Sequence, residues 1–222
     1  MVRRGRRIRV TTPFDDGAER AAAEALRIFR REIREERPPR PCYALALVFD
    51  WERADWYRWA PLPVLLELRK LEAAPEGHDQ VRAFWDPYVP AVESWAEPRE
   101  IIDGLGAPMV EVSSDLIDSR RFERAAVQMH ESVADAGNAT AADEDSLTAE
   151  ESYAVLVART IAASDPATWG VDITPDFVTF PYTSWDRVPH LVKASLPEDQ
   201  VQRFLERGLL PRPGEAGENV PL

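Results

Sequence analysis

The sequence has one cysteine, Cys42, among its 222 residues. A single cysteine excludes a disulfide within the chain, and Cys42 begins an apolar run in which a buried, unreactive thiol is the usual outcome. A chain of this length buries enough surface to be stable without disulfides or structural metals. We therefore expect a protein of a reducing compartment, and we predict that it is cytoplasmic.

Glycine and histidine are scarce, which removes several kinds of functional site. The 10 glycines form neither a phosphate-binding loop nor a Gly-x-Ser-x-Gly nucleophile turn, and Gly104-Leu105-Gly106 lacks the spacing of a dinucleotide fingerprint. The histidines His78, His130 and His190 stand alone, and no Cys/His cluster with the spacing of a zinc site occurs. We predict no catalytic residue, no cofactor and no metal ligand.

Long apolar runs and extended basic regions are also lacking. The longest apolar run, from Cys42 to Phe49, is far shorter than the roughly 20 residues that cross a bilayer. The formal net charge is -12, although the first ten residues carry five arginines and no acid. An acidic surface repels nucleic acid and anionic membranes, so we predict neither as a partner.

The start of the sequence carries a strong helical pattern. Apolar residues recur there at intervals of three and four and are Ala22, Leu26, Phe29 and Ile33. This spacing predicts a helix from about Asp16 to Glu36, with Glu32 on its solvent-facing side. Further helices are predicted from about Ser119 to Ala134, from a capping box of Thr148 and Glu151 to about Ala163, and from about Ser195 to a cap at Gly208.

The apolar run after this helix is predicted to be the central strand of the fold. On a strand, Tyr43, Leu45, Leu47 and Phe49 would share one face, and Cys42, Ala44, Ala46 and Val48 the other. Both faces are apolar, one bulky and one small. This pattern is typical of an interior strand, and we expect the first helix to pack on its small face.

Other strands are less clearly marked. We predict strands from Trp56 to Trp59, from Arg82 to Val89 and from Asp176 to Tyr182, the last near a sheet edge because of Pro181. The segment from Val64 to Leu71 fits either a strand or a short helix. Together the elements predict an α+β fold, a mostly antiparallel sheet with helices packed on one face.

The domain organisation is predicted from charge and composition. Residues 1–14 form a basic, partly flexible tail, residues 15–210 a single α+β domain, and residues 211–222 a flexible C-terminal tail. An exposed acidic loop is expected at about 135–147. A division into two domains at this loop is the alternative, which is disfavoured because the C-terminal part would have a small core.

Acidic residues and tryptophans that follow the first strand form the candidate site. They are Asp50, Trp51, Glu52, Asp55, Trp56 and Trp59. Tryptophan is enriched among interface anchors, and carboxylates at a strand end can act as acid/base pairs or bind cations. Three interpretations are open: core residues beside a polar turn, which is the commonest case, a partner-binding patch, or a catalytic site. Asp172 and Asp176 would join this site if the strands they flank were neighbours.

The order of elements carries a resemblance to a known group of proteins. Besides the opening helix, it rests on the segments Tyr43 to Trp51, Trp169-Gly170, Asp176 to Phe180 and Arg207 to Pro211. In outline, the chain resembles bacterial domains of unknown function, some of which are similar to immunity proteins of polymorphic toxin systems. The resemblance carries no catalytic residue across. It implies a non-enzymatic protein that binds another protein.

Two functions therefore remain in view. The favoured one is a protein-binding module whose acidic surface faces a basic protein, because a net charge of -12 accelerates such association. The alternative is a carboxylate-based enzyme, with or without a divalent metal ion, which requires a pocket where two acids converge. A homodimeric scaffold is a third possibility, and the sequence leaves the oligomeric state open.

Overall fold

The computed structural model describes residues 12–36, 41–68, 71, 80–87, 109–111, 115–135 and 147–210. The helices within these ranges are α1 (Pro13–Glu36), α2 (Gln80–Trp85), α3 (Arg120–Asp135), α4 (Ala149–Ala162), α5 (Val188–Ser195) and α6 (Glu198–Glu206). The strands are β1 (Cys42–Val48), β2 (Leu62–Glu67), β3 (Met109–Glu111) and β4 (Ile173–Tyr182). Short 3-10 helices lie at Asp55–Trp59, Pro166–Trp169 and Trp185–Arg187.

The four strands form one mixed sheet in the order β3-β2-β1-β4. β1 is antiparallel to β2, which is antiparallel to β3, but β1 is parallel to β4. The α+β class is confirmed, whereas the expectation of a mostly antiparallel sheet is wrong. The long connection through α3 and α4 returns the chain to the end where β1 begins, and such a crossover produces a parallel pair.

β1 is the interior strand that the apolar run predicted. Residues Cys42 to Leu47 are all buried, with β2 on one edge and β4 on the other. Because consecutive side chains of β1 point to opposite faces and all six are buried, other elements cover both of its faces. Pro181 lies on β4, which is an edge strand, as expected.

The two faces of β1 belong to two different buried clusters. Leu45 and Leu47 belong to a cluster with residues of α1, α3 and α4, whereas Ala44 and Ala46 belong to one with residues of α2, α5 and α6. Helices therefore cover both faces, and the expectation of one covered face is wrong.

The first helix packs on the bulky face of β1, the opposite of the prediction. α1 contributes the small residues Ala18, Ala21, Ala22 and Ala25 to its cluster. Small side chains on the helix leave room for the leucines of the strand. On the other face, Phe84, Trp85 and Phe204 fill the space above the two alanines. Size complementarity holds on both faces, but with the partners exchanged.

The predicted alternation fails at the first two residues of β1. The pairing register shifts between Cys42 and Ala44, so Cys42 joins the α1 cluster and Tyr43 joins the opposite one. An irregularity of this kind re-aims the side chains of a strand. Burial, with the nearby charges of Glu67 and Asp172, raises the pKa of the Cys42 thiol to about 12. The thiol is therefore unreactive at neutral pH.

The predicted helix signals are present as hydrogen bonds. At the start of α4, Thr148 Oγ1 accepts from the Glu151 amide at 3.2 Å, and the Glu151 carboxylate accepts from the Thr148 amide at 2.9 Å. After α6, Gly208 has a φ of +66°, and the Leu209 amide donates to the Phe204 carbonyl at 2.8 Å. This is the Schellman arrangement that a C-terminal glycine permits.

Three segments differ from their predicted secondary structure. Trp56 to Trp59 lies in a 3-10 helix rather than a strand, and the described start of Arg82 to Val89 belongs to α2. Aromatic residues favour strands only through packing, and the intervals of three and four between Val81, Phe84 and Trp85 suit a helix. α5, in which Pro189 occupies the first turn, was not predicted. Of the ambiguous segment from Val64 to Leu71, the residues up to Glu67 belong to strand β2, and Leu68 is helical.

The predicted tails and acidic loop fall largely outside the described residues. Residues 1–11, 136–146 and 211–222 are not among them, so the domain boundaries stay a prediction. α1 begins at Pro13, within the range assigned to the basic tail. None of the helices in the described ranges combines the length and the apolar character needed to cross a membrane.

Candidate functional site

The candidate site lies where the chain leaves the C-terminal end of β1. Asp50 shapes a polar turn there, because its carboxylate accepts from the Glu52 amide at 3.1 Å and from Arg53 Nε at 3.3 Å. Asp55 then adopts a left-handed backbone with a φ of +54° and begins the 3-10 helix. Aspartate tolerates this conformation better than most residues.

Trp59 is a core residue. It is 1% exposed and forms edge-to-face contacts with Phe14 at 5.9 Å and with Tyr153 at 5.6 Å between ring centroids. It offers no accessible surface to a partner. Its role is to support the neighbouring aromatic residues from beneath.

Trp51 and Trp56 are half-buried at the surface of the same core. Trp51 stacks on Phe49 with ring centroids 4.8 Å apart. Trp56 stacks on Tyr57 at 4.1 Å, and Tyr57 is 42% exposed. Tyr57 is absent from the site predicted from the sequence. A 3-10 helix turns by about 120° per residue, so Tyr57 leaves the backbone in a different direction from the buried Trp59.

The three carboxylates of the candidate site, those of Asp50, Glu52 and Asp55, are exposed. Asp50 pairs with Arg53, but both side chains are about half exposed, so the pair contributes little. Among the described residues, neither Glu52 nor Asp55 forms an ion pair. We call the surface of Trp51, Trp56 and Tyr57, with the three carboxylates at its rim, the aromatic patch.

Two polar atoms are buried beneath the aromatic patch. Trp59 Nε1 and Tyr153 Oη find no hydrogen-bond partner in the described part of the chain. Complete burial also raises the pKa of Tyr153. An unsatisfied buried group costs about 1–3 kcal/mol, so the core below the patch carries a local penalty.

Asp172 and Asp176 do not join the aromatic patch. β4 is parallel to β1, and Cys42 at the start of β1 lies opposite Ile173. The two acids therefore lie at the opposite end of the sheet from Asp50. Asp176 is occupied there by Arg207, whose Nη1 lies 2.8 Å from its carboxylate.

Another acidic residue, Glu151, holds two elements together. Arg187 donates to its carboxylate from Nε at 2.6 Å and from Nη2 at 3.0 Å, linking α4 to the turn before α5. Burial opposes ionisation of Glu151, but the hydrogen bonds from Arg187 and from the Thr148 amide outweigh it and hold its pKa below the usual value. This pair is structural.

Glu32 is buried rather than solvent-facing as predicted. It is 7% exposed, one carboxylate oxygen accepts from the Asp115 amide, and the other has no hydrogen-bond partner among the described residues. Burial, reinforced by the charges of Asp115 and Glu35, raises its pKa to about 7. α1 thus carries a carboxyl group whose pKa is near neutrality.

A groove with a volume of about 630 Å³ lies between the end of α4, the outer edge of β4 and the junction of α5 with α6. Asp165 is the one carboxylate among the residues that line it. Within the described residues, no three His, Cys, Asp or Glu side chains come together in a way that would hold a metal ion. The groove thus lacks a convergent pair of acids.

The chain was also compared with known proteins. No protein-family model, no curated protein and no solved structure matches it.

Proposed function

We propose that the protein is a non-enzymatic binding module that engages a basic partner protein through the aromatic patch. The observation that carries this proposal is the stacked Trp56–Tyr57 pair, which is exposed on Tyr57 and is preceded along the chain by the exposed carboxylates of Glu52 and Asp55. Aromatic side chains of this kind are the commonest interface anchors, and truncating one typically costs about 2 kcal/mol or more of binding energy.

Packing supports the patch as a contact surface. Trp51 and Trp56 are held from beneath by Phe49 and Phe122, with centroid distances of 4.8 Å and 6.3 Å. Side chains that are already fixed lose little conformational entropy when a partner binds. An exposed aromatic surface on a supported base is therefore suited to tight binding.

Charge supports a basic partner. Glu52 and Asp55 are exposed at the rim without ion pairs to described residues, and the chain as a whole has a net charge of -12. Such a field speeds the encounter with a basic protein and orients it. A partner arginine or lysine could place its charge over Tyr57 and between the carboxylates.

The enzyme alternative ranks lower. Glu32 has the raised pKa expected of a catalytic acid, but its carboxylate lies against the Asp115 amide and is nearly inaccessible. The groove has a single carboxylate, Asp165. We place the binding role in the bacterial cytoplasm, in keeping with the single, buried Cys42 and with the resemblance to immunity proteins.

The proposal is tested by capture followed by titration. The wild-type chain is immobilised, basic proteins retained from a bacterial lysate are purified, and each is titrated against wild type, Tyr57→Ala and Leu68→Ala. Leu68 is the matched control because it is an exposed apolar residue next to the start of β1, whereas the aromatic patch follows the end of β1. The proposal requires Tyr57→Ala to weaken binding and Leu68→Ala to leave it unchanged; equal affinities for all three contradict it.

A further inference from the structure

The chain enters α1 at a fixed point. The Thr12 hydroxyl accepts from the Asp15 amide at 3.1 Å, and the Asp15 carboxylate accepts from the Thr12 amide at 3.0 Å. Reciprocal bonds of this kind hold the backbone at the start of a helix. Whatever precedes Thr12 in the chain is therefore tethered to the domain at this position.

This anchor point lies beside the aromatic patch. Phe14, in the first turn of α1, contacts Trp59 with ring centroids 5.9 Å apart, and Trp59 in turn contacts Trp51 at 6.3 Å. The rings of Phe14 and Trp51 are therefore no farther apart than the sum of these two distances. A segment tethered at Thr12 begins within a short span of the patch.

The sequence that precedes the anchor is strongly basic. We call residues 1–11 the basic segment; it contains no acid and has arginines at positions 3, 4, 6, 7 and 9. Three residues of extended chain, the separation of Arg9 from Thr12, cover about 10 Å, and the nine residues back to Arg3 cover about 30 Å. The segment is long enough to bring its arginines to the patch.

The charges of the segment and of the patch are complementary. Glu52 and Asp55 are exposed, and neither is ion-paired within the part of the chain that the structure describes. The net charge of the whole chain is -12 although the basic segment is included in it, so the remainder is more acidic still. The segment is thus attracted to the domain, and the nearby rim carboxylates offer it ion pairs.

The uncharged surfaces are complementary too. Tyr57 is 42% exposed and stacked on Trp56. A planar guanidinium stacks favourably on an aromatic face of this kind. Ile8 is flanked by Arg7 and Arg9, so it supplies an apolar side chain for the half-buried Trp56 next to the arginines.

Tethering makes even a weak contact effective. A segment joined to the domain by a short linker reaches an effective concentration on the order of millimolar at a surface near its anchor. A contact with a dissociation constant in that range would therefore be formed in about half of the molecules. A partner protein in solution has to compete with it.

We propose that the basic segment of the same chain occupies the aromatic patch, with arginines over Tyr57 and against Glu52 and Asp55, and that a basic partner binds by displacing it. This inference rests on the proposed function, in which the patch is the contact surface, and adds the regulation of that surface. The apparent affinity of a partner is lowered by the fraction of molecules in which the patch is open, so weakly binding basic proteins are excluded.

Trypsin provides the first test, because it cleaves after arginine. The initial rate of cleavage within the basic segment, followed by mass spectrometry of the full chain, reports how often the segment is undocked. Asp55→Asn/Tyr57→Ala should raise this rate at least about fivefold. Asp172→Asn/Leu68→Ala is the matched control, because it removes the same charge and an exposed apolar side chain at the opposite end of the sheet. Equal rates in the three proteins overturn the proposal.

Other locations of the segment give different results. If its arginines lie along the exposed acids of α1, Asp16→Asn raises the cleavage rate and Asp55→Asn/Tyr57→Ala does not. If the segment docks on a second copy of the chain, the rate in wild type rises on dilution. Either result overturns the proposal.

The second test supplies the segment in trans. A fluorescein-labelled peptide of residues 2–11 is titrated by fluorescence anisotropy against wild type and against a full-length variant with glutamine in place of the five arginines. The glutamine variant should bind the peptide at least about tenfold more tightly, because its patch is open. Equal affinity for the two proteins overturns the proposal.

The loss of five positive charges also strengthens the general attraction for a basic peptide, so the patch is substituted within the glutamine variant. Tyr57→Ala leaves the charge unchanged and should weaken peptide binding by at least about fivefold, whereas Leu68→Ala should leave it unaltered. A gain in affinity that survives Tyr57→Ala arises from net charge alone and overturns the proposal.

Neither test requires the partner protein. If both succeed and capture yields no basic partner, the occupied patch stands and the proposed function falls. A captured partner whose affinity depends on Tyr57 but is the same for wild type and the glutamine variant keeps the proposed function and removes the regulation. The two failures are therefore distinguishable.

Discussion

The Phe49 amide donates to the Tyr182 carbonyl at 2.8 Å and joins the C-terminal ends of β1 and β4. This bond has one consequence for the surface of the protein. It places Asp50 at the opposite end of the sheet from Asp172. The acids that flank β1 and β4 therefore do not form one site.

Glu32 makes stability depend on pH. Its folded-state pKa of about 7 exceeds the ordinary value of 4.5, so the folded state holds the proton more tightly than the unfolded state. Its contribution to stability is fully present below about pH 4.5 and is lost as the pH rises through about 7. The free energy of unfolding of Glu32→Gln, relative to that of wild type, should rise by up to about 3 kcal/mol between pH 4.5 and 8.

Urea unfolding of both proteins across this range measures the effect. Glu19→Gln is the matched control, because Glu19 lies on the same helix with its side chain exposed and is not among the charges that raise the pKa of Glu32. A constant difference between Glu32→Gln and wild type from pH 4.5 to 8 would contradict the assignment.

Tyr153 and Tyr43 form a matched pair of buried tyrosines. Tyr153 Oη has no hydrogen-bond partner among the described residues, whereas Tyr43 Oη donates to the Phe84 carbonyl at 3.1 Å. Tyr153→Phe should therefore be neutral or stabilising by about 1 kcal/mol, and Tyr43→Phe destabilising by about the same amount. Thermal or urea unfolding measures the stability of the two variants. A larger loss of stability in Tyr153→Phe than in Tyr43→Phe would contradict these hydrogen-bond assignments.

Arg187 should contribute more to the stability of the fold than the exposed arginines do. Arg187→Ala leaves Glu151, which is 7% exposed, without its charged partner, and breaking such a buried pair costs about 3 kcal/mol. Arg203→Ala is the control, since the ion pairs of Arg203 are exposed and should contribute less than about 1 kcal/mol. Similar unfolding free energies for the two variants would show that Glu151 is not held as described.

Gly17 permits the close approach of α1 and α3. A Cβ at this position would lie 2.8 Å from Met129 Cγ. In an ordinary helix, glycine to alanine stabilises by about 1 kcal/mol, but here the clash should make Gly17→Ala destabilising. A double-mutant cycle with Met129→Ala measures this coupling, and additive effects of the two substitutions would contradict it.

Some of this architecture follows from local sequence patterns. The alternation after Cys42 identifies an interior strand because both faces are apolar, and the Thr148–Glu151 pair marks a helix start because its hydrogen bonds are local. The parallel pairing of β1 with β4 joins residues more than 130 positions apart in chain order, from Leu45 to Thr179. No local pattern encodes such a pairing.

The sequence predicts which segment of the chain contains the candidate site, but not which of its side chains are exposed. Composition places aromatic and acidic residues after β1, but the depth of each ring depends on the helices above it. Trp59 is buried against Phe14 and Tyr153, which come from α1 and α4. Tyr57 is exposed because the segment is a 3-10 helix rather than a strand. Tertiary packing, which the local sequence does not contain, makes both distinctions.

The aromatic patch is tested most directly by the affinity of the recovered basic partner for wild type and for the double variant Asp55→Asn/Tyr57→Ala. Isothermal titration at about 50 mM and about 300 mM sodium chloride separates the charged contribution from the aromatic one. We predict that wild-type binding weakens with salt and that the double variant binds at least about tenfold more weakly at low salt. Equal affinity of the two proteins, with no dependence on salt, would contradict the proposed function.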